Sequence, residues 1–129
     1  ETERCYAMRL LGKCHDELGD WHQALKWYRL AVAECSWTRE PWVDLSMITY
    51  RHGLWAECYS AALSALMIKD KQAVYTMDPS VWTEKPYDLA SIAAWNLGLK
   101  EQAVDLCKKA LEFNPKDQRL LSNLEQMTT

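Results

Sequence analysis

Three stretches of this chain carry one cadence: ELGDWHQALKWY at 17–28, RHGLWAECYSAAL at 51–63 and WNLGLKEQAVDLC at 95–107. Each has a Gly, a bulky residue shortly after it, and then small residues at helical spacing. Gly19 and Gly53 are 34 residues apart, whereas Gly53 and Gly98 are 45 apart. WTREPW at 37–42 and WTEKPY at 82–87 are also 45 apart, so a 34-residue unit is interrupted once by an insertion of 11. A period of 34 is the mark of stacked helical hairpins, because one hairpin cannot bury both its apolar faces alone.

The local pattern is helical throughout. Apolar residues of the first unit fall at Tyr6, Leu10, Leu11 and Leu18, then at Ala24, Leu25, Tyr28, Ala31 and Val32, in steps of three and four. Gly19 stands where a helix must end and where positive φ is needed. Asp20 is the expected N-cap of the next helix, with Gln23 completing a capping box. Thr38 and Thr83 are expected to cap the first helices of later units, and Pro41 and Pro86 are tolerated in a first turn. The spacing predicts seven helices, over 4–18, 21–34, 39–52, 55–68, 86–97, 100–112 and 117–126.

Composition narrows what such a stack can do. The net charge of −3 and the absence of a basic run argue against nucleic acid as a partner. No apolar run approaches the roughly 18 residues of a membrane span, and no signal-peptide core opens the chain. Seven Trp and six Tyr against one Phe supply large side chains for gaps between helices or for a recognition surface. Cysteines 5, 14, 35, 58 and 107 are odd in number and contain no CxxC, which points to a reduced, cytoplasmic setting. Cys58 and Cys107 fall at interior-facing positions, where a thiol serves as a small apolar filler. The chain begins with Glu rather than Met, and a fragment of a longer protein is expected.

Catalytic and metal chemistry find no foothold. Adjacent Cys14 and His15 point about 100° apart on a helix and cannot form a nucleophile–base pair. His22, His52 and Cys58 lack the short-spaced pairs of a zinc site, and Asp78–Pro79 reads as a turn start. The common nucleotide, zinc-protease and hydrolase motifs are missing. No cofactor or metal is expected, and the chain itself is not expected to be an enzyme.

The units resemble tetratricopeptide repeats (TPR), whose pattern runs W-x2-L-G-x2-Y, then G, then A-x3-F, A and P. Matching positions are Met8, Leu11, Gly12, His15, Gly19, Ala24, Tyr28 and Ala31 in the first unit. The second unit has Trp42, Leu45, Ser46, Thr49, Gly53, Cys58, Ala62 and Ala65. The third has Tyr87, Ala90, Ser91, Ala94, Gly98, Ala103, Cys107, Ala110 and Pro115. Thr49 and Ala94 replace the usual Tyr and Ala62 a bulky aromatic, so Trp37, Trp82 and Tyr75 are expected to fill the space. Small residues at Gly12, Ser46 and Ser91 let paired helices approach closely. The resemblance implies an all-α, TPR-like right-handed superhelix of three hairpins (about 5–38, 39–72 and 84–117). An insertion lies within about 69–83. A capping helix over about 117–126 buries Leu120, Leu121 and Leu124 on one side and keeps charge on the other. Both terminal faces are expected to be partly polar, giving a stable, metal-independent monomer or weak dimer.

In this family the first helix of each hairpin lines a concave partner-binding face. The corresponding positions are Tyr6, Arg9, Lys13, Asp16 and Glu17; then Glu40, Val43, Met47, Tyr50 and Arg51; then Lys85, Asp88, Ile92, Trp95 and Asn96. The face implies a protein or peptide partner, centred on Tyr50 and Trp95. Arg9 and Lys13 lack the Asn partners of the family's C-terminal-carboxylate clamp, so that activity is not carried over. Met47, Ile92 and Trp95 either line the groove or are covered by the capping helix or the insertion. A narrower resemblance spans about 37–124, through EPW, DP-x2-W, P-x-DLA-x-IAA and the insertion. It is to the helical segment following a family-2-type glycosyltransferase domain in some bacterial and bacteriophage proteins. It implies an accessory role beside an upstream transferase domain in the same chain; a free-standing peptide-binding adaptor is the alternative.

The repeat register makes a direct prediction. Ala24→Leu and Ala103→Leu should each overpack a hairpin and cost about 1–3 kcal/mol, and thermal melts that show no loss at either site would refute the register.

Overall fold

The computed structural model describes residues 2–69 and 78–129. Seven α-helices follow one another: α1 (Glu3–Glu17), α2 (Trp21–Glu34), α3 (Arg39–Arg51), α4 (Trp55–Leu66), α5 (Lys85–Asn96), α6 (Lys100–Phe113) and α7 (Gln118–Thr128). A 3-10 turn, Pro79–Trp82, precedes α5. Each helix packs on its chain neighbours, and the first helices of successive hairpins, α1, α3 and α5, also touch. The result is the superhelical stack of a TPR-like fold. The helix bounds lie within two residues of those read from periodicity, while Tyr75 and most of the insertion fall outside the described residues.

The same closure is used in all three hairpins. Gly19, Gly53 and Gly98 have φ of 81°, 69° and 81°, a left-handed bend that costs a glycine little. The following residue then reaches back to a carbonyl of the last turn: Asp20 N–H to His15 at 2.9 Å, Leu54 N–H to Thr49 at 2.9 Å, and Leu99 N–H to Ala94 at 2.8 Å. This is the Schellman arrangement, which satisfies carbonyls a helix end would otherwise leave bare. The Asp20 carboxylate accepts from Gln23 N–H at 3.4 Å.

Two expected caps differ. Thr38 sits at the N-cap of α3 but makes no capping bond; its hydroxyl donates to the Glu40 carboxylate instead. Glu84, not Thr83, precedes α5, and Thr83 ends the 3-10 turn. In both places the threonine hydroxyl donates to a carboxylate close by in the chain, Thr38 to Glu40 and Thr83 to Glu84.

Within each hairpin the helices meet at small residues twelve apart: Gly12 and Ala24, Ser46 and Cys58, Ser91 and Ala103, all buried. A Cβ on Gly12 would lie 2.6 Å from the Tyr28 ring. In the later hairpins, whose Tyr28 equivalents are Ala62 and Cys107, the glycine is replaced by serine. Ser46 Oγ donates to the Cys58 carbonyl at 2.9 Å and Ser91 Oγ to the Ala103 carbonyl at 2.7 Å. A large ring against glycine is thus exchanged for a small residue with a hydroxyl that finds a backbone acceptor. Trp37 does not fill the vacated space, since it is 50 % exposed. Trp82 packs against the cluster of Val43, Ala62, Ala65, Val81, Leu89 and Ala90.

Buried charge holds the flanks of the insertion. The Arg39 guanidinium donates to the Ile68 carbonyl at 2.9 Å and to the Val81 carbonyl at 3.3 Å, and lies 4.7 Å from the Trp82 ring centre. The end of α4 and the 3-10 turn are thereby drawn to the start of α3.

The C-terminal end of the stack differs from expectation at one residue. In α7, Leu120 is buried and Leu124 and Met127 pack beside it, but Leu121 is exposed. The inward stripe runs 120, 124, 127, the spacing that meets α6. In α1 only Cys5 and Gly12 are buried; Leu10, Leu11 and the C-cap residue Leu18 are exposed. Glu3, Arg4, Lys13 and Glu17 of the same helix are exposed as well, so charged and apolar residues share the N-terminal end.

Gly12→Ala should cost about 1–3 kcal/mol, because the buried Tyr28 ring must move to admit one methyl group. Urea unfolding of the two proteins checks it, and an unchanged midpoint would mean the ring yields freely.

Candidate functional site

The first helices set α1, α3 and α5 side by side and so present one continuous face. Ion pairs cross it between neighbouring helices. Arg9 Nε donates to Asp44 at 2.5 Å and Arg51 to Asp16 at 2.6 Å, both joining α1 to α3. Arg119 of α7 grips Asp88 of α5 through both guanidinium nitrogens, one contact being 3.2 Å. That hydrogen bonding raises the affinity of Arg119 for its proton. On the second helices Arg29 holds Glu57 in the same forked way, at 2.6 and 2.8 Å. Forked pairs fix orientation more than they add stability at an exposed surface.

The groove positions inferred from sequence separate into three groups. Tyr50, Ile92 and Trp95 come together. With Arg119, Asn123, Gln126 and Met127 of α7 they line a cleft of about 220 Å³. Trp95 is 36 % exposed, and Lys100 lies 5.8 Å from its ring centre. Tyr50 meets Trp55 edge-on at 5.9 Å, a contact that holds its ring at the cleft wall.

A second group stays on the face without entering the cleft. Tyr6, Lys13, Glu17 and Asn96 are exposed, and the Asn96 amide donates to the Ile92 carbonyl at 2.9 Å. Arg9, Asp16, Arg51 and Asp88 belong to the ion pairs. Met47 packs on the second core cluster, and Lys85 pairs with Asp78 at 2.6 Å.

The third group is buried. Val43 is a core residue, packed with Ala62, Ala65 and Leu89, and has no surface to offer a partner. Its place in α3 turns it towards α4 and α5. Glu40 is buried too, accepting from Thr38 and, at 3.0 Å, from Trp82 Nε1. Burial pushes its carboxyl up, but those hydrogen bonds outweigh burial and hold it below the usual carboxylate range.

Sequence reasoning missed the α7 wall. Arg119, Asn123 and Gln126 stand four and three residues apart, a polar helical stripe that periodicity alone assigns to the solvated side of a capping helix. Among the described residues no three His, Cys, Asp or Glu side chains gather to hold a metal ion. All five cysteines are thiols, of which only Cys14 is exposed. No helix among the described residues is long and apolar enough to cross a membrane.

Comparison with known proteins agrees with the fold. Residues 86–117, the third hairpin, match the tetratricopeptide repeat family. No curated protein matches the sequence significantly. Among solved structures, the first TPR of Spaghetti (RPAP3) bound to the HSP90 peptide SRMEEVD superposes with a TM-score of 0.82 at 15 % identity. That alignment covers 99 % of this chain and 93 % of the other. The N-terminal domain of stress-induced protein-1 (STI-1) from C. elegans gives 0.79 at 16 % identity, covering 97 % and 94 %. The second TPR domain of human RPAP3 in complex with the HSP70 peptide SGPTIEEVD gives 0.76 at 14 % identity, covering 97 % and 98 %. The chain has the fold of TPR domains, and the match over its third hairpin supports the TPR repeat family.

The buried Glu40 supplies a pH test. Because its folded carboxyl is held below the ordinary 4.5, its contribution is complete above that pH and lost as pH falls through the folded value. Glu40→Gln should cost on the order of 1–3 kcal/mol near neutral pH. It should also flatten the acid side of the melting-temperature profile, and an unchanged acid limb would show that Glu40 is not held as described.

Proposed function

We propose that this chain is a protein-interaction module that takes a peptide or partner segment on its concave face. The TPR-like fold and the peptide complexes of its structural neighbours support this reading. The repeat units run over 5–38, 39–72 and 84–117, with the insertion within 69–83. One observation carries the site: the cleft where Tyr50, Ile92 and Trp95 meet the polar stripe of α7. Apolar walls rimmed by Arg119, Asn123 and Gln126 suit a branched or aromatic anchor side chain whose flanking backbone is hydrogen-bonded at the rim.

The SRMEEVD and SGPTIEEVD peptides of the neighbours are acidic. In this chain Arg9, Arg51 and Arg119 already engage Asp44, Asp16 and Asp88. A carboxylate ligand would have to displace an aspartate at each, so the affinity here rests on the apolar anchor. Lys13, which has no ion pair among the described residues, steers rather than holds.

The finer placement is as the C-terminal part of a glycosyltransferase, positioning an acceptor or partner while the upstream domain catalyses. It rests on the sequence resemblance over 37–124 alone. A full-length reading frame with an upstream α/β domain and a DxD-like motif would support it. A frame starting within a few residues of Glu1 would leave the free-standing adaptor.

Peptides selected from a random phage-displayed library on the immobilised chain test the groove. They should share an aromatic or branched aliphatic anchor, and Trp95→Ala should weaken them by about 2 kcal/mol or more with little change in melting temperature. Undiminished binding to Trp95→Ala would place the interaction elsewhere.

A further inference from the structure

Two of the four buried cysteines share one place in the fold. Cys5 stands in the first turn of α1, and Cys35 follows the last turn of α2, thirty residues further on. With Ala31 they form the small cluster that closes the N-terminal hairpin, all three sealed from water and Met8 packed beside them. Both cysteines converge on one atom. The Cys5 thiol donates to the Ala31 carbonyl at 3.6 Å, and the Cys35 N–H donates to the same oxygen at 2.9 Å. No more than those two lengths laid end to end separates the Cys5 sulfur from the Cys35 backbone. The residues just before them also meet, since the Arg4 guanidinium lies 3.4 Å from the Glu34 carboxylate. Cys58 and Cys107 occupy separate crossings: Cys58 beside Ser46, and Cys107 with Ala110 and Leu120.

Filling space does not require this pairing. Any small apolar residue would serve at either position, whereas two thiols in one cluster carry a chemistry that alanine lacks. Their backbones suit it. Cys35 has left the helix, with φ −142° and ψ 67°, so the side-chain rotamers that a helix disfavours are open to it. Cys5 is held in its first turn by the Thr2 hydroxyl, which accepts from the Cys5 N–H at 3.0 Å. Both sit at helix ends, where local opening admits a small reagent without unfolding the hairpin.

We propose that Cys5 and Cys35 form a reversible disulfide that staples the start of α1 to the end of α2 under oxidising conditions. The oxidant is a low-molecular-weight disulfide such as oxidised glutathione. One cysteine thiolate attacks a sulfur of the oxidant and expels one glutathione thiolate. The other cysteine thiolate then attacks the protein sulfur of that mixed disulfide and expels the second. Two electrons pass from the cysteine pair to the glutathione disulfide, and the two thiol protons end on the glutathione released. The bridge takes freedom from the unfolded chain by closing a long loop. It also anchors the free end of α1, which packs chiefly on α2 and carries Arg9, Lys13 and Asp16 on the concave face. The staple is independent of what that face binds.

Cys14→Ser removes the exposed thiol and with it bridges between chains. That chain is incubated in its folded state with oxidised glutathione, digested without reduction and mapped by mass spectrometry. One linked pair of peptides is expected, joining Cys5 to Cys35, with no glutathione retained on either. The melting temperature should rise by roughly 5–15 °C and return on addition of dithiothreitol. Cys35→Ala in the same background should abolish the linked pair and the rise, and Cys5→Ala serves if that variant is unstable. Glutathione retained on either cysteine without a bridge, both thiols unreacted after prolonged incubation, or linkage through Cys58 or Cys107 would overturn the proposal. A Cys5–Cys35 bridge that leaves the melting temperature unchanged or lower would overturn it as well.

Discussion

Everything in this molecule depends on how closely the two helices of each hairpin can approach. Gly12 gives way to the Tyr28 ring, and the hydroxyls of Ser46 and Ser91 each donate a hydrogen bond to a carbonyl of the facing helix. A carbonyl already bonded within its helix has a second lone pair to give, so serine can sit in the contact without stranding a buried polar group. Close contact in turn permits alanine and cysteine at the crossing, where Ala24, Cys58 and Ala103 are all sealed from water. With that distance set, the first helices line up on one side and the second helices on the other.

Charge does a different task in each layer. Deep in the structure, Arg39 and Glu40 are adjacent yet serve separate partners: the guanidinium binds the carbonyls of Ile68 and Val81, and the carboxylate binds Thr38 and Trp82. Two buried charges are tolerable because each has its hydrogen bonds supplied. They fasten both flanks of the insertion to α3. On the concave surface the ion pairs Arg9–Asp44, Arg51–Asp16 and Arg119–Asp88 bind helix to helix. Cations committed in this way are poorly placed to receive an acidic ligand. The apolar cleft beside them is the accessible feature, and its far wall belongs to α7. The helix that ends the stack is thus also part of the proposed recognition surface.

Similarity of fold at about 15 % identity shows how little of this surface the fold itself dictates. What the stack needs is small residues at the helix crossings and glycine at the turns. The fold alone does not fix what the remaining positions recognise.

The sequence by itself determined the number of helices, their bounds, the three glycine-closed turns and the small residues at the crossings. Each is a local requirement, written in backbone conformation or in a periodicity of three and four. It also singled out Tyr50 and Trp95, which occupy equivalent places in successive units, with Ile92 one turn before Trp95. Tertiary structure decided which side chains those places expose. Val43 and Glu40 turn into the core, Leu121 and Trp37 turn out, and Thr38 gives its hydroxyl to Glu40 rather than to a helix end. Arg119, Asn123 and Gln126 became a cleft wall only because α7 packs back across α6 and α5. Periodicity tells which face of a helix is apolar, but which neighbour covers that face is settled by contacts between residues far apart in the chain. That is why Leu45 of α3 is core and its counterpart Leu11 of α1 is surface.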